Sequence, residues 1–382
     1  MREQQHLRVA LIAGSLGQGG AEKQFLYLAR ELVRAGVEVR VFTLTRGEFY
    51  EPLFEREGAR VDWGGRYRLP LRVVDLAIAV RRFRPHVVQA VHFFTNLYTV
   101  AAARFCRGIE IGSIRNDTWF DMAECGRWGK PLLHIPRTLI ANSRAAAQNA
   151  QAIGADAARI QVLTNVIDLT AFDSTRGAAH MVAAVDREAT AIAIARLVQA
   201  KRLDRFLRSL ARARQRGAQL RGVIVGDGPE RPRLEALARD LGLFPAGVAF
   251  LGARADVPRL LGRADMLVLT SQHEGFPNAL LEAMAARLPV VATPAGDVAS
   301  LVDDGCTGFI VPFDNEDLLV ARLMELAQSP VTRRTLGCAG RKVVEDRYRV
   351  DSLADRALQI YRDAARQQGS QRALEAANAV AR

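Results

Sequence analysis

At 382 residues the chain is too long for one ordinary domain and suits two, and 49% hydrophobic with 25% charged residues excludes wholesale disorder and a membrane channel. The net charge of +12 is carried mainly by arginine, lysine occurring only at positions 23, 130, 201 and 342, and it favours phosphorylated small molecules or anionic lipid as partners. No basic block or nucleic-acid motif occurs, so no nucleic-acid partner is expected. Cys106, Cys125, Cys306 and Cys338 lie far apart without a CxxC, which reads as reduced thiols and no zinc site. Met1 to His6 leads straight into an apolar strand with no secretory core, so a cytoplasmic location is expected.

Along the chain, short β-branched runs alternate with longer amphipathic stretches, the pattern of a parallel α/β fold. Leu7–Ala13 reads as the first strand, Gly14–Gly20 as a glycine-rich loop, Ala21–Arg34 as a helix ending at Gly36, and Val37–Leu44 as the second strand. Further strands are expected at Arg60–Trp63, His86–Val91, Ile109–Ile114, Thr138–Ala141 and Gln161–Leu163. His86–Ala103 is uncharged over about the length of a membrane span, but Gln89, His92, Thr95 and Asn96 fit a buried strand followed by a helix better. Periodicity lapses over Asp173–Thr190, which sets an N-terminal domain over 1–172, a linker over 173–189 and a C-terminal domain over 190–350. The rhythm restarts with strands at Ala191–Ala195, Arg221–Val225, Gly247–Leu251, Ala264–Leu269 and Pro289–Thr293, and helices at Asp204–Arg216 and Glu230–Leu241. Asp351–Gln368 reads as an amphipathic helix packing back on the N-terminal domain, and 369–382 as a tail that frays. Two α/β halves predict a ligand cleft at the carboxyl ends of their strands.

Five features along this frame carry chemistry. Ser271 to Ala286 sets Glu274 and Glu282 around a Gly275-Phe276-Pro277 turn, with Pro277 presetting a helix start. The amides of Asn278, Ala279 and Leu280 then point outward at the positive helix end, an anion site; the alternative is a surface loop with a charge on the following helix. Gly17, Gly19 and Gly20 let backbone amides approach a phosphate, although their spacing fits neither the dinucleotide nor the P-loop pattern. Arg196 and Lys201, just past a strand, suit a diphosphate clamp or are solvated surface cations. Gly226-Asp227-Gly228-Pro229 is a strand-end turn that serves equally as a tight connection. His92, at the end of a strand, lies at the predicted cleft edge, or is a structural histidine.

Taken in order, these residues resemble the family 4 glycosyltransferases, whose GT-B fold is α/β with two facing Rossmann-like domains, parallel sheets and a cleft between them. The match covers nearly the whole chain. It is strongest at Ser271–Glu282, Leu288–Thr293 and Gly305–Pro312, and it extends to Asn142-Ser143, Asn165–Asp168 and Gly19–Glu22. The resemblance implies that Glu282 binds the ribose of a nucleotide sugar and Glu274 the donor sugar, with the backbone from Phe276 through Leu280 near sugar and phosphate. Arg196 and Lys201 would neutralise the departing diphosphate, Gly17–Gly20 would approach it from the other domain, and His92 would lie by the sugar and acceptor. No Asp-x-Asp occurs, so no metal and no cofactor are expected.

The chain departs from the family pattern at Ala195 and Arg202, both usually glycine, and at Pro294–Ser300, which lacks the commoner double glycine. The expected activity is a retaining transfer from a UDP- or GDP-sugar to a glycan or lipid-linked acceptor. An epimerase of the same architecture and a non-catalytic sugar-binding protein are the alternatives. Arg66–Val74 and Arg81–Arg84 mix basic and apolar residues and suggest contact with an anionic membrane surface, or else a solvated helix face.

Overall fold

A computed structural model describes residues 6–177 and 188–380. The chain divides into two compact units, Met1–Val166 with Val350–Arg382, and Ile167–Arg349. The first unit holds seven strands: β1 (Arg8–Ala13), β2 (Glu38–Thr43), β3 (Arg60–Trp63), β4 (Val87–Ala90), β5 (Ile109–Ile114), β6 (Thr138–Ala141) and β7 (Ile160–Val162). Their order is β3-β2-β1-β4-β5-β6-β7, and every pairing is parallel. Parallel sheets are covered on both faces, and β4 and β5 are buried along their whole length, the polar Gln89, Glu110 and Ser113 included. The helix Gly20–Arg34 stops where Gly36 takes a φ of 81°: its amide bonds Val33 O and the next, of Val37, bonds Leu32 O. These two bonds satisfy the last carbonyls in a Schellman turn.

The second unit repeats the plan with β8 (Ala189–Ile194), β9 (Leu220–Val225), β10 (Val248–Phe250), β11 (Met266–Leu269), β12 (Val290–Ala292) and β13 (Phe309–Ile310). Their order, β10-β9-β8-β11-β12-β13, is again wholly parallel. In each sheet the winding direction reverses once, between β1 and β4 and between β8 and β11. Open α/β sheets bind ligands beyond the strand carboxyl ends at that reversal. Gly14 and His92 follow β1 and β4 there, and Arg196 and Ser271 follow β8 and β11.

Two expectations need correction. The division falls before the helix Leu169–Arg176, whereas the sequence placed a boundary at residue 172 and a linker from Asp173. That helix is tied into the second unit: Arg341 donates to both Asp173 carboxylate oxygens at 3.0 and 2.8 Å, and Leu169 and Phe172 join the local core. Residues 178–187 of the expected linker lie outside the described residues. The tail, expected to fray, forms a helix over Gln371–Ala379 whose Ala373, Ala376 and Ala377 are buried in the first unit's core. The preceding helix, Leu353–Gln367, belongs to that unit too, and its buried Tyr361 hydroxyl donates to Gln89 Oε1 at 2.6 Å. As expected, His86–Ala103 splits into β4 and the helix Asn96–Cys106, and no helix among the described residues is long and apolar enough to cross a membrane.

Candidate active site

In the second unit four loops gather at the carboxyl edge of the sheet. Glu274, on the loop after β11, accepts hydrogen bonds from Lys201 Nζ and from Ser271 Oγ, both at 2.7 Å. The Lys201 and Glu274 side chains keep only 21% and 11% of their surface, so the pair is weakly screened. Backbone straps hold the two loops in register: the Gln272 amide donates to Ala200 O at 2.8 Å, and Thr270 Oγ1 to Lys201 O at 3.1 Å. Lys201 closes a single 3-10 turn, and Arg202 behind it takes a left-handed φ of 47°. The usual glycine there is replaced by an arginine whose guanidinium forks onto Asp204 at 3.0 and 3.2 Å, interactions that offset the backbone cost. Arg196 stands exposed just past β8.

Gly226 and Gly228 are needed for close approach. Gly226 has a φ of 134°, and a Cβ there would sit 1.9 Å from Ala195 O; at Gly228, with a φ of 157°, it would sit 2.5 Å from Leu197 O. The turn thus packs its backbone directly on the Arg196 loop, where Leu197 donates to Asp227 O at 2.9 Å. Gly226→Ala is expected to lower stability by about 2–4 kcal/mol through strain and clash. Urea melts of the variant check this. Gly296 does the same under Glu274, its absent Cβ lying 2.5 Å from Glu274 O and 2.4 Å from Gly275 O.

The helix Asn278–Ala285 starts as predicted, with one change. Pro277 is its N-cap rather than its first helical residue, and Leu280 donates its amide to Pro277 O at 3.1 Å. The anion site expected from the amides of Asn278, Ala279 and Leu280 therefore loses one donor. Phe276 and Leu280 bury their side chains, Phe276 against the Tyr348 ring at 5.6 Å, so neither side chain is open to a ligand. Glu282 lies half-buried in the second turn of that helix.

In the first unit the loop after β1 leads into the helix Gly20–Arg34, capped by the backbone of Gly19 with no side-chain bond. Gly17 is open around its Cβ position, while a Cβ on Gly19 would meet Glu22 Oε2 at 2.3 Å. His92 accepts the Gly14 amide at Nδ1, 3.1 Å away, so its proton sits on Nε2 and is donated to Glu22 Oε1 at 3.0 Å. Burial opposes the Glu22 charge, but hydrogen bonds from His92, the backbone and Ser15 outweigh it and hold the carboxyl below its usual range. Such a group adds stability that is fully present above its unfolded pKa and is lost as pH falls through the lower folded value. Glu22→Gln should therefore cost about 1 kcal/mol at pH 7 and nothing below the carboxylate range, as urea melts at pH 7 and in acid would show. The sequence assigned Glu22 no role, although an acid in the first turn after a glycine loop is the local sign of one.

Two further groups at this edge carry no motif. Arg115, directly after β5, lies over the Phe25 ring with its centre 4.7 Å from the centroid, and its buried Nε has no hydrogen-bond partner among the described residues. Asp121, on the following helix, has its carboxyl raised to about 7, first by burial and then by Glu124 and Asp117, against backbone hydrogen bonds from Arg115 and Asn116.

The family description "Glycosyl transferases group 1" matches residues 181–343, and "Glycosyltransferase Family 4" matches residues 18–171. The chain is 28% identical over 172 residues to the alpha-D-kanosaminyltransferase of Streptomyces kanamyceticus, a stretch that spans 44% of each chain. It is also 28% identical to the D-inositol 3-phosphate glycosyltransferase of Saccharomonospora viridis, over 92% of this chain and 90% of that one. Among solved structures, Anabaena HepE in complex with UDP-glucose superposes with a TM-score of 0.81 at 21% identity, covering 93% of this chain and 99% of that one. Staphylococcus aureus TarM, bound to UDP, superposes with a TM-score of 0.78 at 12% identity over the same shares. At these identities the structures show the fold alone. With matched regions running from residue 18 to residue 343 and this two-sheet architecture, the chain belongs to the family 4 glycosyltransferases of the GT-B fold.

Proposed function

We propose that the protein is a retaining glycosyltransferase that moves a hexosyl group from a UDP- or GDP-sugar to a glycan or lipid-linked acceptor in cell-surface polysaccharide or glycolipid synthesis. The observation that carries this reading is the Lys201–Glu274 pair, 2.7 Å apart at the reversal point of the second sheet. It sets a cation for the diphosphate beside a carboxylate for the sugar hydroxyls. HepE, crystallised with UDP-glucose, supports the donor class by analogy.

In this mechanism Glu282 holds the ribose and Glu274 orients the sugar. As the bond between the anomeric carbon and the phosphate oxygen breaks, Arg196 and Lys201 take up the charge on the departing diphosphate. Preorganised donors of this kind are worth roughly 2.7–4 kcal/mol each. The acceptor hydroxyl forms its bond to the anomeric carbon on the same face and passes its proton to the leaving phosphate oxygen. No metal and no protein nucleophile takes part. In the first unit, Glu22 holds His92 in one tautomer beside the loop of Gly17, Gly19 and Gly20. NMR of the product tests retention: with an α-linked donor the first-formed glycoside carries the α configuration, and a β product would overturn this mechanism.

The location proposed is cytoplasmic, peripheral to the inner face of the membrane. Leu71, Val74 and Ile78 recur at helical spacing and are 62%, 56% and 41% exposed, with Arg81 and Arg82 in the last turn of the same helix. Such a surface suits the interface of an anionic bilayer. Flotation with phosphatidylglycerol vesicles at low salt should carry the protein upward, and Val74→Glu with Ile78→Glu should abolish this; a protein that stays at the bottom has no such contact.

A further inference from the structure

The first unit concentrates positive charge at the edge of its sheet opposite to Gly14 and His92. A hollow of about 370 Å³ lies there, at the start of β5, lined by Arg104, Arg107, Glu110, Arg137, Gln368 and Ser370. Its one carboxylate is already matched. Glu110 is buried and accepts a fork from Arg104 at 2.9 and 3.0 Å, plus the Arg137 amide at 3.0 Å. Gln368 braces the floor, donating to Glu110 O at 2.9 Å and Thr138 Oγ1 at 3.0 Å while accepting the Glu110 amide at 3.0 Å. The guanidinium charges of Arg107 and Arg137 are thus in excess of what Glu110 requires, and Arg137 Nε stands 4.0 Å from that carboxylate.

Two neighbours strengthen the field. The helix Gln371–Ala379 begins at the rim, and its N-cap Ser370 makes no side-chain capping bond. Arg8 and Arg372 both donate to Arg84 O at 2.9 Å, and His86 beside them is pushed down to about 4, by burial first and then by Arg372 and Arg8.

We propose that this hollow binds a phosphate-bearing anion, independently of the nucleotide-sugar site. Two guanidinium groups match a tetrahedral oxyanion with forked donors, and the helix start adds positive potential. The volume suits a phosphomonoester or a lipid headgroup. The chemistry is shared by a soluble phosphorylated compound and a phospholipid, and the experiment separates them.

Isothermal titration of inorganic phosphate is the direct test, on the wild type, on Arg107→Asn with Arg137→Ala, and on Lys201→Ala. Asparagine is chosen because Arg107 holds a left-handed φ of 57°. The wild type and the Lys201 variant should bind alike, and the double variant at least tenfold more weakly. Arg137→Gln alone, on an exposed side chain, should shift binding in the same direction and guards against a folding defect. No binding to the wild type, equal binding to the double variant, or loss only in the Lys201 variant would overturn the proposal. Flotation with phosphatidylglycerol vesicles assigns the source. A lipid phosphate requires the double variant to float less and free phosphate to compete, whereas a soluble ligand leaves flotation unchanged.

Discussion

Lys201→Ala is expected to lower kcat by about two to three orders of magnitude, the loss that follows removal of one preorganised charge-stabilising donor. The amine is placed by the two hydrogen bonds that strap its loop and by its 2.7 Å contact with Glu274. Its removal also leaves the Glu274 carboxylate, 11% exposed, with the hydrogen bond from Ser271 Oγ. Breaking a fully buried pair costs about 3–5 kcal/mol, and because Lys201 keeps a fifth of its surface in solvent the cost here should be nearer 1–2 kcal/mol. Steady-state kinetics and urea melts measure the two effects separately. Lys201→Arg should not restore the rate, since a planar fork does not fit a seat shaped for a point charge. A variant that turns over near the wild-type rate would remove Lys201 from the mechanism.

Glu282→Ala is expected to show the opposite kinetic pattern. A carboxylate that grips the ribose contributes to ground state and transition state alike, so KM for the donor should rise while kcat changes little. Losing charged hydrogen bonds worth about 1.5–3 kcal/mol weakens donor binding roughly ten- to a hundredfold. Alanine is the best helix former, and Glu282 is only half-buried in the helix Asn278–Ala285, so the fold should persist. Donor titration together with initial rates gives both quantities. A fall in kcat with unchanged KM would assign Glu282 to the chemistry instead.

The strands were legible because buried parallel strands are short apolar runs between turn residues, as β11 and β12 show. The boundary was misread for a physical reason. The helix Leu169–Arg176 has little apolar periodicity of its own, and its anchor, the Arg341 fork onto Asp173, lies 168 residues away. The tail was misread similarly: Ala373, Ala376 and Ala377 look featureless until a core receives them. At the site, the glycine turns and the helix start were readable locally, whereas the pairings were not. Lys201 meets Glu274 across 73 residues and His92 meets Glu22 across 70, contacts created only when β8 pairs with β11 in one sheet and β1 with β4 in the other. Asp121, whose carboxyl is raised to about 7 by burial, left no sign in the sequence, because burial is a property of the folded chain.

Glycosyl transfer from a nucleotide sugar is tested most directly by incubating the purified protein with a panel of UDP- and GDP-sugars and measuring released nucleotide with and without glycan or lipid-linked acceptors. One donor should release UDP or GDP, faster with acceptor, and yield a glycosylated product in equal amount. Return of an epimerised sugar still joined to its nucleotide, or no turnover with any donor in the panel, would contradict the account.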